Sequence, residues 1–288
     1  MSKAVGIIPA RWSSTRFPGK PLHRIAGKPL LQHVWERCRR AKSLDSVIIA
    51  TDDMRVADAA FQWGAEVALT SRRHQSGTDR IAQVAAKARQ FEFIINIQGD
   101  EPLIEPQLID RLVAKLHSDS SIKMVTAAHP FANPVDATSP HQVKVVVDLR
   151  GRALYFSRAP IPYLRSGGAG VASAASRWGA RLARIIGQRP MPHGDRRSLI
   201  LRHQGIYGFR REILLQFVRW KPTPLERAES LEQLRALENG VTVFVLITRH
   251  GSLGVDTLEE AKRLEKNLIR AGVTRDRSGV TNKKRRPR

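Results

Sequence analysis

The sequence is poor in cysteine, long apolar runs and aromatic residues, and each shortage excludes a class of protein. One cysteine, Cys38, among 288 residues leaves no intramolecular disulfide and suits a reducing cytoplasm. Its place in an apolar helical stripe favours packing over catalysis. No apolar run approaches the roughly 20 residues that span a bilayer, and no signal-peptide pattern precedes the first strand. We therefore expect a cytoplasmic protein that is not inserted in a membrane.

Acidic residues are also scarce, and the chain carries a large positive charge. It has 26 Asp and Glu residues against 49 Lys and Arg, a net charge of +23, which favours anionic partners. Nucleic-acid binders usually interleave aromatic residues with a basic groove. Here aromatic residues make up only 6%, and about half of the charge lies in segments 166–198 and 275–288. Nucleic-acid binding remains an alternative function, and non-specific contact through the tail a possible side property.

The hydrophobic pattern predicts an α/β fold. Short apolar runs typical of buried parallel strands, at 4–9, 47–51, 66–69 and 93–98, alternate with stripes at helical spacing. This order predicts an open, mainly parallel twisted sheet with helices on both faces. In the second half, a hairpin over 143–157 and a strand at 201–209 predict antiparallel additions. Helices are predicted over 225–238 and 257–269. We expect a single domain, residues 1–274, with a basic low-complexity insert at 166–198 and a disordered basic tail at 275–288.

The loop after the first strand carries closely spaced cations. Arg11, Arg16 and Lys20 alternate with hydroxyl residues, and Gly19 allows backbone amides to approach a ligand. Because open α/β sheets bind ligands at the carboxyl ends of their strands, this loop is placed to hold a triphosphate. It lacks the Walker pattern. The alternative is a solvated basic loop.

Two aspartates follow predicted strands or turns in a similar way. Asp100 ends a buried strand, and Asp256 follows Gly254-Val255. Magnesium prefers one or two carboxylates together with substrate phosphates, so this pair is a candidate metal site. Asp256, however, precedes Thr257 and could simply cap the following helix. The segment 75–80 likewise suits either a base or phosphate contact through Ser76 or a plain helix cap.

An ordered set of motifs gives the chain a specific resemblance. IIPARWSSTRFPGKPL, ATDD, HQSGTDR, INIQGDEP, VKVVVD, ALYFSRAPIP, RHQGIYGFR, PLERAESLEQLRALENG and GVDTLEEAKRL occur in this order over most of residues 4–265. Together they resemble the 3-deoxy-manno-octulosonate (Kdo) cytidylyltransferase family. The resemblance implies a fold like that of nucleotide-diphospho-sugar transferases. It also implies transfer of CMP from CTP to Kdo for lipopolysaccharide biosynthesis, with Mg²⁺ as cofactor. We further expect a homodimer.

The resemblance also implies roles for individual residues. The CTP phosphates are held by Arg11, Ser14, Arg16 and Lys20. Ser76 and Gln98 lie near the cytidine and the sugar, and Asp100 and Asp256 bind the magnesium. The sugar acid is bound by Gln98, Arg158, His203, Tyr207, Glu232 and Gln233. Arg11, Lys20, Asp100 and Asp256 are the residues expected to carry catalysis, and no side chain is assigned as general base.

The chain departs from the family pattern in places that concern the sugar more than the reaction. Ser139-Pro140-His141 replaces Asn-Pro-Asn, Gly251-Ser252-Leu253 replaces Pro-Gly-x, and Gln204 replaces an aliphatic residue. The insert at 166–198 is longer and more basic than usual. These differences leave open a related synthetase for amino-Kdo or sialic acid. An inactive homologue is disfavoured, because every expected ligand residue is present.

Overall fold

The computed structural model describes residues 3–13, 17–163, 200–252 and 254–270. Ser14 and Arg16 of the predicted phosphate loop lie outside these residues. So do the basic insert at 166–198 and the tail at 275–288.

In the described part of the chain, a nine-stranded sheet runs through the molecule. The strands are β1 (Lys3–Ala10), β2 (Arg24–Ile25), β3 (Lys28–Pro29), β4 (Ser46–Thr51), β5 (Glu66–Leu69), β6 (Phe91–Asn96), β7 (Met124–Pro130), β8 (Lys144–Val147), β9 (Ala153–Ser157), β10 (Leu201–Arg210) and β11 (Val243–Ile247). Strands β2 and β3 form a separate small hairpin. The main sheet has the order β11-β7-β10-β6-β1-β4-β5, with β8 and β9 added beside β10.

Strand directions in the sheet confirm the predicted fold class. β1 is parallel to β4 and β6, β4 to β5, and β7 to β11. β10 is antiparallel to β6, β7 and β8, and β8 is antiparallel to β9. The carboxyl ends of β1, β4, β6, β7 and β11 therefore meet at one edge, together with the amino end of β10. This is the edge at which open α/β sheets bind ligands.

Helices cover both faces of the sheet. They are α1 (Leu30–Cys38), α2 (Met54–Gln62), α3 (Gly77–Lys87), α4 (Pro106–Ser118), α5 (Arg211–Phe217), α6 (Pro224–Glu229), α7 (Leu234–Glu238) and α8 (Leu258–Arg270). The apolar faces of α1, α2 and α4 form one core cluster with the sheet, and those of α3, α5 and α7 form another. Cys38 is buried in the first cluster, as its apolar position predicts. Among the described residues, no helix has the length and hydropathy needed to span a membrane.

The last helix closes the fold beside the predicted phosphate loop. Ala261, Leu264 and Leu268 of α8 pack with residues of the loop and of the β2–β3 hairpin, including Phe17 and Ile25. The backbone amide of Ala26 donates a hydrogen bond of 2.7 Å to Glu265 Oε1. The segment that carries Asp256 is thus held against the loop that carries Lys20.

The single helix predicted over 225–238 is wrong in the structure. Helix α6 ends at Ser230, which adopts the left-handed conformation (φ 50°, ψ 49°), and α7 begins only at Leu234. The break lets Leu231 and Leu234 both reach the core, where they are almost completely buried. Arg235 folds back to donate to Glu226, with 2.8 Å from Nε to Oε2, so a buried ion pair joins the two short helices.

Candidate active site

Lys20 lies at the centre of a cation–carboxylate cluster. Its Nζ donates to Asp100 Oδ2 at 2.6 Å and to Asp256 Oδ1 at 3.1 Å. Gly19, in the left-handed conformation (φ 68°), turns the chain into the short 3-10 helix that begins at Lys20. Burial alone lowers the pKa of Lys20, but the charges and hydrogen bonds of Asp100, and then Asp256, outweigh it and raise the pKa. The ammonium therefore stays charged at neutral pH.

The helix that follows Asp256 has a capping arrangement of its own. Thr257 and Glu260 supply that cap, because Glu260 N–H donates to Thr257 Oγ1 at 3.2 Å and Thr257 N–H donates to Glu260 Oε2 at 3.1 Å. The backbone amide of Val255 donates to the carbonyl oxygen of Asp100 at 2.9 Å. The two aspartates are consequently neighbours, although 156 positions separate them in the sequence.

The chemistry of this pair fits a magnesium ion. Two carboxylates already share one cation, the ammonium of Lys20, which shows that they can share positive charge. Among the described residues, no group of three or more His, Cys, Asp or Glu side chains forms a metal cluster. That excludes a complete protein cage there, but it suits magnesium, which usually takes one or two carboxylates and completes its shell with water and phosphates.

Arg11 lies on the other side of the site, among acidic groups. Burial lowers its pKa and the nearby Arg80 acts in the same direction, against the opposing charges of Asp52, Asp79 and Glu232. Its Nη2 is buried and has no hydrogen-bond partner in the described chain. A guanidinium remains protonated in proteins in any case. The backbone amide of Gly19 donates to the carbonyl oxygen of Trp12 at 3.3 Å, so the chain on either side of the loop is joined next to Arg11 and Lys20.

A fully buried arginine, Arg80, fixes this side of the site. It donates to Asp52 Oδ2 at 3.1 Å, after β4, and to Thr70 Oγ1, after β5. Sequence reasoning did not select Arg80, although it stands in the HQSGTDR motif. Its place in that motif, directly before the apolar stripe of α3, was the available signal.

Ser76 forms the helix cap that the sequence allowed. Its Oγ accepts from Asp79 N–H at 3.0 Å, and Asp79 Oδ2 accepts from Ser76 N–H at 3.1 Å, which is a complete capping box for α3. Within the same turn, Thr78 Oγ1 donates to Glu232 Oε2 at 2.5 Å. The start of α3 therefore holds Glu232, and contact of Ser76 with the nucleotide stays a prediction.

Gln98, His203 and Tyr207 come together between β6 and β10. Gln98 Nε2 donates to the carbonyl oxygen of Gly205 at 3.0 Å. The rings of His203 and Tyr207 lie 5.3 Å apart, and His203 Nε2 is 3.0 Å from Thr126 Oγ1. Burial lowers the pKa of His203 to about 3. Burial also raises the pKa of Tyr207, and the charge of Glu232 adds to this shift. Both side chains are neutral at physiological pH.

Arg158 holds the turn that leads to Gln233. Arg158 donates from Nε to the carbonyl of Glu229 at 2.7 Å, from Nη1 to Pro140 at 2.9 Å and from Nη2 to Ser230 at 3.3 Å. It thereby holds the turn that precedes Glu232 and Gln233, and only part of its guanidinium is left for a ligand. Gln233 is buried, and its Nε2 has no partner among the described residues.

Glu101 is a further carboxyl group that the sequence reasoning missed. Burial raises its pKa to about 8, and the adjacent charge of Asp100 adds to the shift. A Cβ atom on Gly205 would lie 3.7 Å from its Oε1, which places Glu101 beneath the start of β10. Its position directly after Asp100 in the GDEP motif was the available signal.

An open α/β sheet that gathers a lysine and a pair of carboxylates at its carboxyl edge has the arrangement of a nucleotide-binding α/β protein. The pattern of the cytidylyltransferase family matches residues 5–245. The 3-deoxy-manno-octulosonate cytidylyltransferase of Geobacter sulfurreducens is 45% identical over 262 residues, which cover 91% of this chain and 98% of that protein. The enzyme of the same name from Myxococcus xanthus is 41% identical over 269 residues, 93% of this chain and 97% of that protein. The chain belongs to the 3-deoxy-manno-octulosonate cytidylyltransferase family.

Solved structures agree with this assignment. A CMP:2-keto-3-deoxy-manno-octonic acid synthetase, solved in complex with CTP, superimposes with a TM-score of 0.81 at 36% identity. The match covers 94% of this chain and all of that one, 100%. A cytidylyltransferase from Leptospira borgpetersenii shares the fold at a TM-score of 0.58 and 18% identity, over 94% of this chain and 88% of that one.

Proposed function

We infer that the chain is a cytidylyltransferase that activates 3-deoxy-manno-octulosonate with CTP and releases pyrophosphate, a step that serves lipopolysaccharide biosynthesis. The anomeric hydroxyl of the sugar acid attacks the α-phosphorus. The new oxygen–phosphorus bond replaces the bond to pyrophosphate, and the hydroxyl proton is lost. The observation that carries this function is the Lys20–Asp100–Asp256 cluster at the carboxyl edge of a sheet of this family's fold.

Asp100 and Asp256 are proposed to hold Mg²⁺. When bound, the ion neutralises phosphate charge and lowers the pKa of a coordinated hydroxyl. The protein's own part is to keep the two carboxylates together, through the hydrogen bond from Val255 N–H to the Asp100 carbonyl. Phosphoryl transfer asks little covalent chemistry of a protein, so positioning and charge supply most of the rate.

Lys20 is proposed to contact the triphosphate. Its Nζ lies beside both carboxylates and its side chain is only 16% exposed, so a phosphate that reaches it meets a largely desolvated charge. Phosphate contacts by Ser14 and Arg16 remain predictions from the resemblance. Phosphate contact by Arg11 is likewise proposed from the resemblance, and its buried Nη2, which has no hydrogen-bond partner in the described chain, is the donor we assign to it.

The sugar acid is proposed to lie between β6, β10 and the turn before α7. Glu232, fixed by Thr78, accepts hydrogen bonds from sugar hydroxyls. His203 and Tyr207 are neutral and supply polar edges without charge. Arg158 supplies the cation of the pocket. Its N–H groups that do not bind backbone carbonyls are proposed to bind the carboxylate of the sugar acid.

One assay tests substrate and metal together. Pyrophosphate release is measured with CTP, UTP or ATP, with Kdo, sialic acid or a neutral sugar, and with or without Mg²⁺. We expect activity with CTP, Kdo and Mg²⁺ only, and a large loss in Asp100→Asn and Asp256→Asn. Asp58→Asn, an exposed aspartate on α2, is the matched control. Turnover that does not depend on Mg²⁺, or normal turnover in Asp256→Asn, would contradict the assignment of Asp100 and Asp256 as metal ligands. Equal turnover with Kdo and sialic acid would contradict the assignment of Kdo as the substrate.

The expected assembly and location belong to the same proposal. A homodimer is supported by large apolar side chains that are exposed near the edge strand β9, Leu154 at 62% and Tyr163 at 88%. A cytoplasmic location is supported by the single, buried cysteine. Non-specific nucleic-acid contact is proposed for the tail at 275–288 alone, on the strength of its charge.

A further inference from the structure

The segment that brings Asp256 to the site crosses the carboxyl edge of the sheet. It leaves β11 at Thr248 and reaches the end of β6 at Val255, so in the sheet order it passes β7 and β10. Three strand spacings amount to roughly 14 Å. Eight residues of extended chain span up to about 28 Å. The segment therefore has slack, and contacts along its path must decide where Asp256 lies.

Both ends of this segment are fixed by hydrogen bonds. Thr248 N–H donates to the carbonyl of Ala128 at 2.8 Å, and Thr248 Oγ1 donates to the carbonyl of His250 at 2.9 Å. At the other end, Val255 N–H donates to Asp100 O at 2.9 Å. The middle of the segment has a different kind of contact.

Gly251 lies directly against two side chains of the sheet. A Cβ atom at this position would be 2.2 Å from His129 Nε2, 2.4 Å from His129 Cδ2 and 2.9 Å from Gln204 Nε2. Such distances are far inside van der Waals contact, so only a glycine fits here. Gly251 is not among the described glycines with positive φ, which means that space alone, and not backbone conformation, requires it.

The ring of His129 cannot easily yield to a larger residue. His129 lies on β7, which is paired with β10 on one side and β11 on the other. The ring is 9% exposed, and its Nδ1 is 2.8 Å from the carbonyl oxygen of Pro130, an acceptor to which it must donate. Burial lowers the pKa of this histidine, so the ring is neutral, and its Nε2 is the unprotonated atom that faces Gly251.

We propose that the contact between Gly251 and His129 is a positioning contact for the reaction: it fixes residues 248–252 so that Asp256, a few residues further on, lies opposite Asp100. The proposal rests on the metal role assigned to these two aspartates. His129 is not proposed to contact either aspartate. It affects the position of Asp256 only by its contact with Gly251. The contact thus adds Gly251 to the residues on which catalysis depends.

The test compares two alanine substitutions in the same segment. In Gly251→Ala the new methyl group overlaps His129 and must displace the segment. In Gly254→Ala, the matched control, a Cβ meets no atom of the described chain within 4 Å. We expect Gly251→Ala to weaken Mn²⁺ binding, measured by electron paramagnetic resonance without substrate, and to lower kcat/KM about a hundredfold. Gly254→Ala should change both far less, and the melting temperature of each variant is recorded.

A rescue variant separates positioning from general damage. His129→Ala removes the atoms that the new methyl group meets, so Gly251→Ala with His129→Ala should bind Mn²⁺ and turn over better than Gly251→Ala alone. If Gly251→Ala does not fold, recovery of folding and turnover in the double variant gives the same support. Additive losses in the double variant, or normal Mn²⁺ binding and turnover in Gly251→Ala, would overturn the proposal.

A separate variant, Asp256→Asn, distinguishes failure of the metal assignment from failure of the positioning contact. If Asp256→Asn binds Mn²⁺ normally, the proposed metal pair is wrong, whatever Gly251→Ala does. If Asp256→Asn loses Mn²⁺ while Gly251→Ala keeps it, the pair stands and the positioning contact falls.

Discussion

Replacing Lys20 with methionine should separate the catalytic role of its ammonium from its structural role. Methionine keeps most of the apolar stem and removes the charge that Asp100 and Asp256 share. Because both carboxylates contact one nitrogen, at 2.6 and 3.1 Å, their oxygens are close neighbours. The variant therefore removes the positive charge that lies between the two carboxylates.

The size of the effect follows from the exposure of the two carboxylates. Two unit charges about 6 Å apart repel by about 0.7 kcal/mol in water and about 2.8 kcal/mol at an effective dielectric constant of about 20. The Asp256 side chain is 50% exposed and that of Asp100 28%, so the lower part of this range applies, about 1 kcal/mol. For a domain of this size, that lowers the melting temperature by about 2–4 °C.

Metal affinity and turnover should then move in opposite directions. A divalent cation that binds between the carboxylates no longer competes with an ammonium, so Mn²⁺ should bind up to about tenfold more tightly to Lys20→Met without CTP. Added Mg²⁺ should restore the lost melting temperature. Turnover should nevertheless fall by about a hundredfold or more, because a charged contact to the triphosphate is gone.

The assay combines a Mn²⁺ titration, melting curves with and without Mg²⁺, and pyrophosphate release. Lys28→Met is the matched control, since Lys28 pairs only with the surface residue Glu36 among the described contacts and is itself 49% exposed. Weaker Mn²⁺ binding in Lys20→Met would refute the competition between ammonium and metal. Normal turnover in that variant would refute the phosphate role of the loop.

Four further outcomes are expected. Arg235→Met removes the cation that pairs with the buried carboxylate of Glu226, so it should lower the free energy of unfolding, measured by urea denaturation, by about 3–5 kcal/mol. The pKa of His203 is lowered to about 3 in the folded protein and is about 6.5 in the unfolded chain. Below about pH 6.5, unfolding is therefore accompanied by protonation of this histidine. Acid should therefore destabilise the parent more than His203→Asn between pH 6.5 and 5. Arg158→Ala should raise KM for the sugar acid more than KM for CTP. Ending the chain at residue 274 should preserve turnover and abolish salt-sensitive retention on nucleic acid.

Much of the fold could be predicted because its elements are local. Each of these elements can be recognised from its own stretch of sequence. Strands β1, β4 and β6 are short apolar runs, and helices α1 to α4 have apolar residues at helical spacing. Strand β7 was not predicted, since Thr126 and His129 interrupt its apolar run with polar residues. Both are buried in the structure, and Thr126 donates to the carbonyl oxygen of Ile206, 80 positions away in the sequence. No local window of sequence contains that partner.

The break between α6 and α7 was missed for a related reason. Residues 225–238 carry leucines at near-helical spacing, so a single helix was the simpler prediction. The left-handed residue at the break is Ser230, not the glycine that usually marks such a stop. What stabilises the break is the buried ion pair between Glu226 and Arg235, a tertiary arrangement that overrides the local preference. The positions of Glu232 and Gln233 in the proposed sugar pocket depend on it.

For the candidate metal pair, the sequence contains a signal that the sequence analysis did not use. Asp256 was ambiguous because an aspartate before a helix so often caps it. The next residues, Thr257 to Glu260, have the spacing of a capping box, in which the threonine caps the helix and the glutamate returns to the backbone. A helix whose cap is supplied by Thr257 does not need the carboxylate of Asp256. That argument, available before any coordinates, favours a role for Asp256 outside the helix, and its hydrogen bond from Lys20 agrees with such a role.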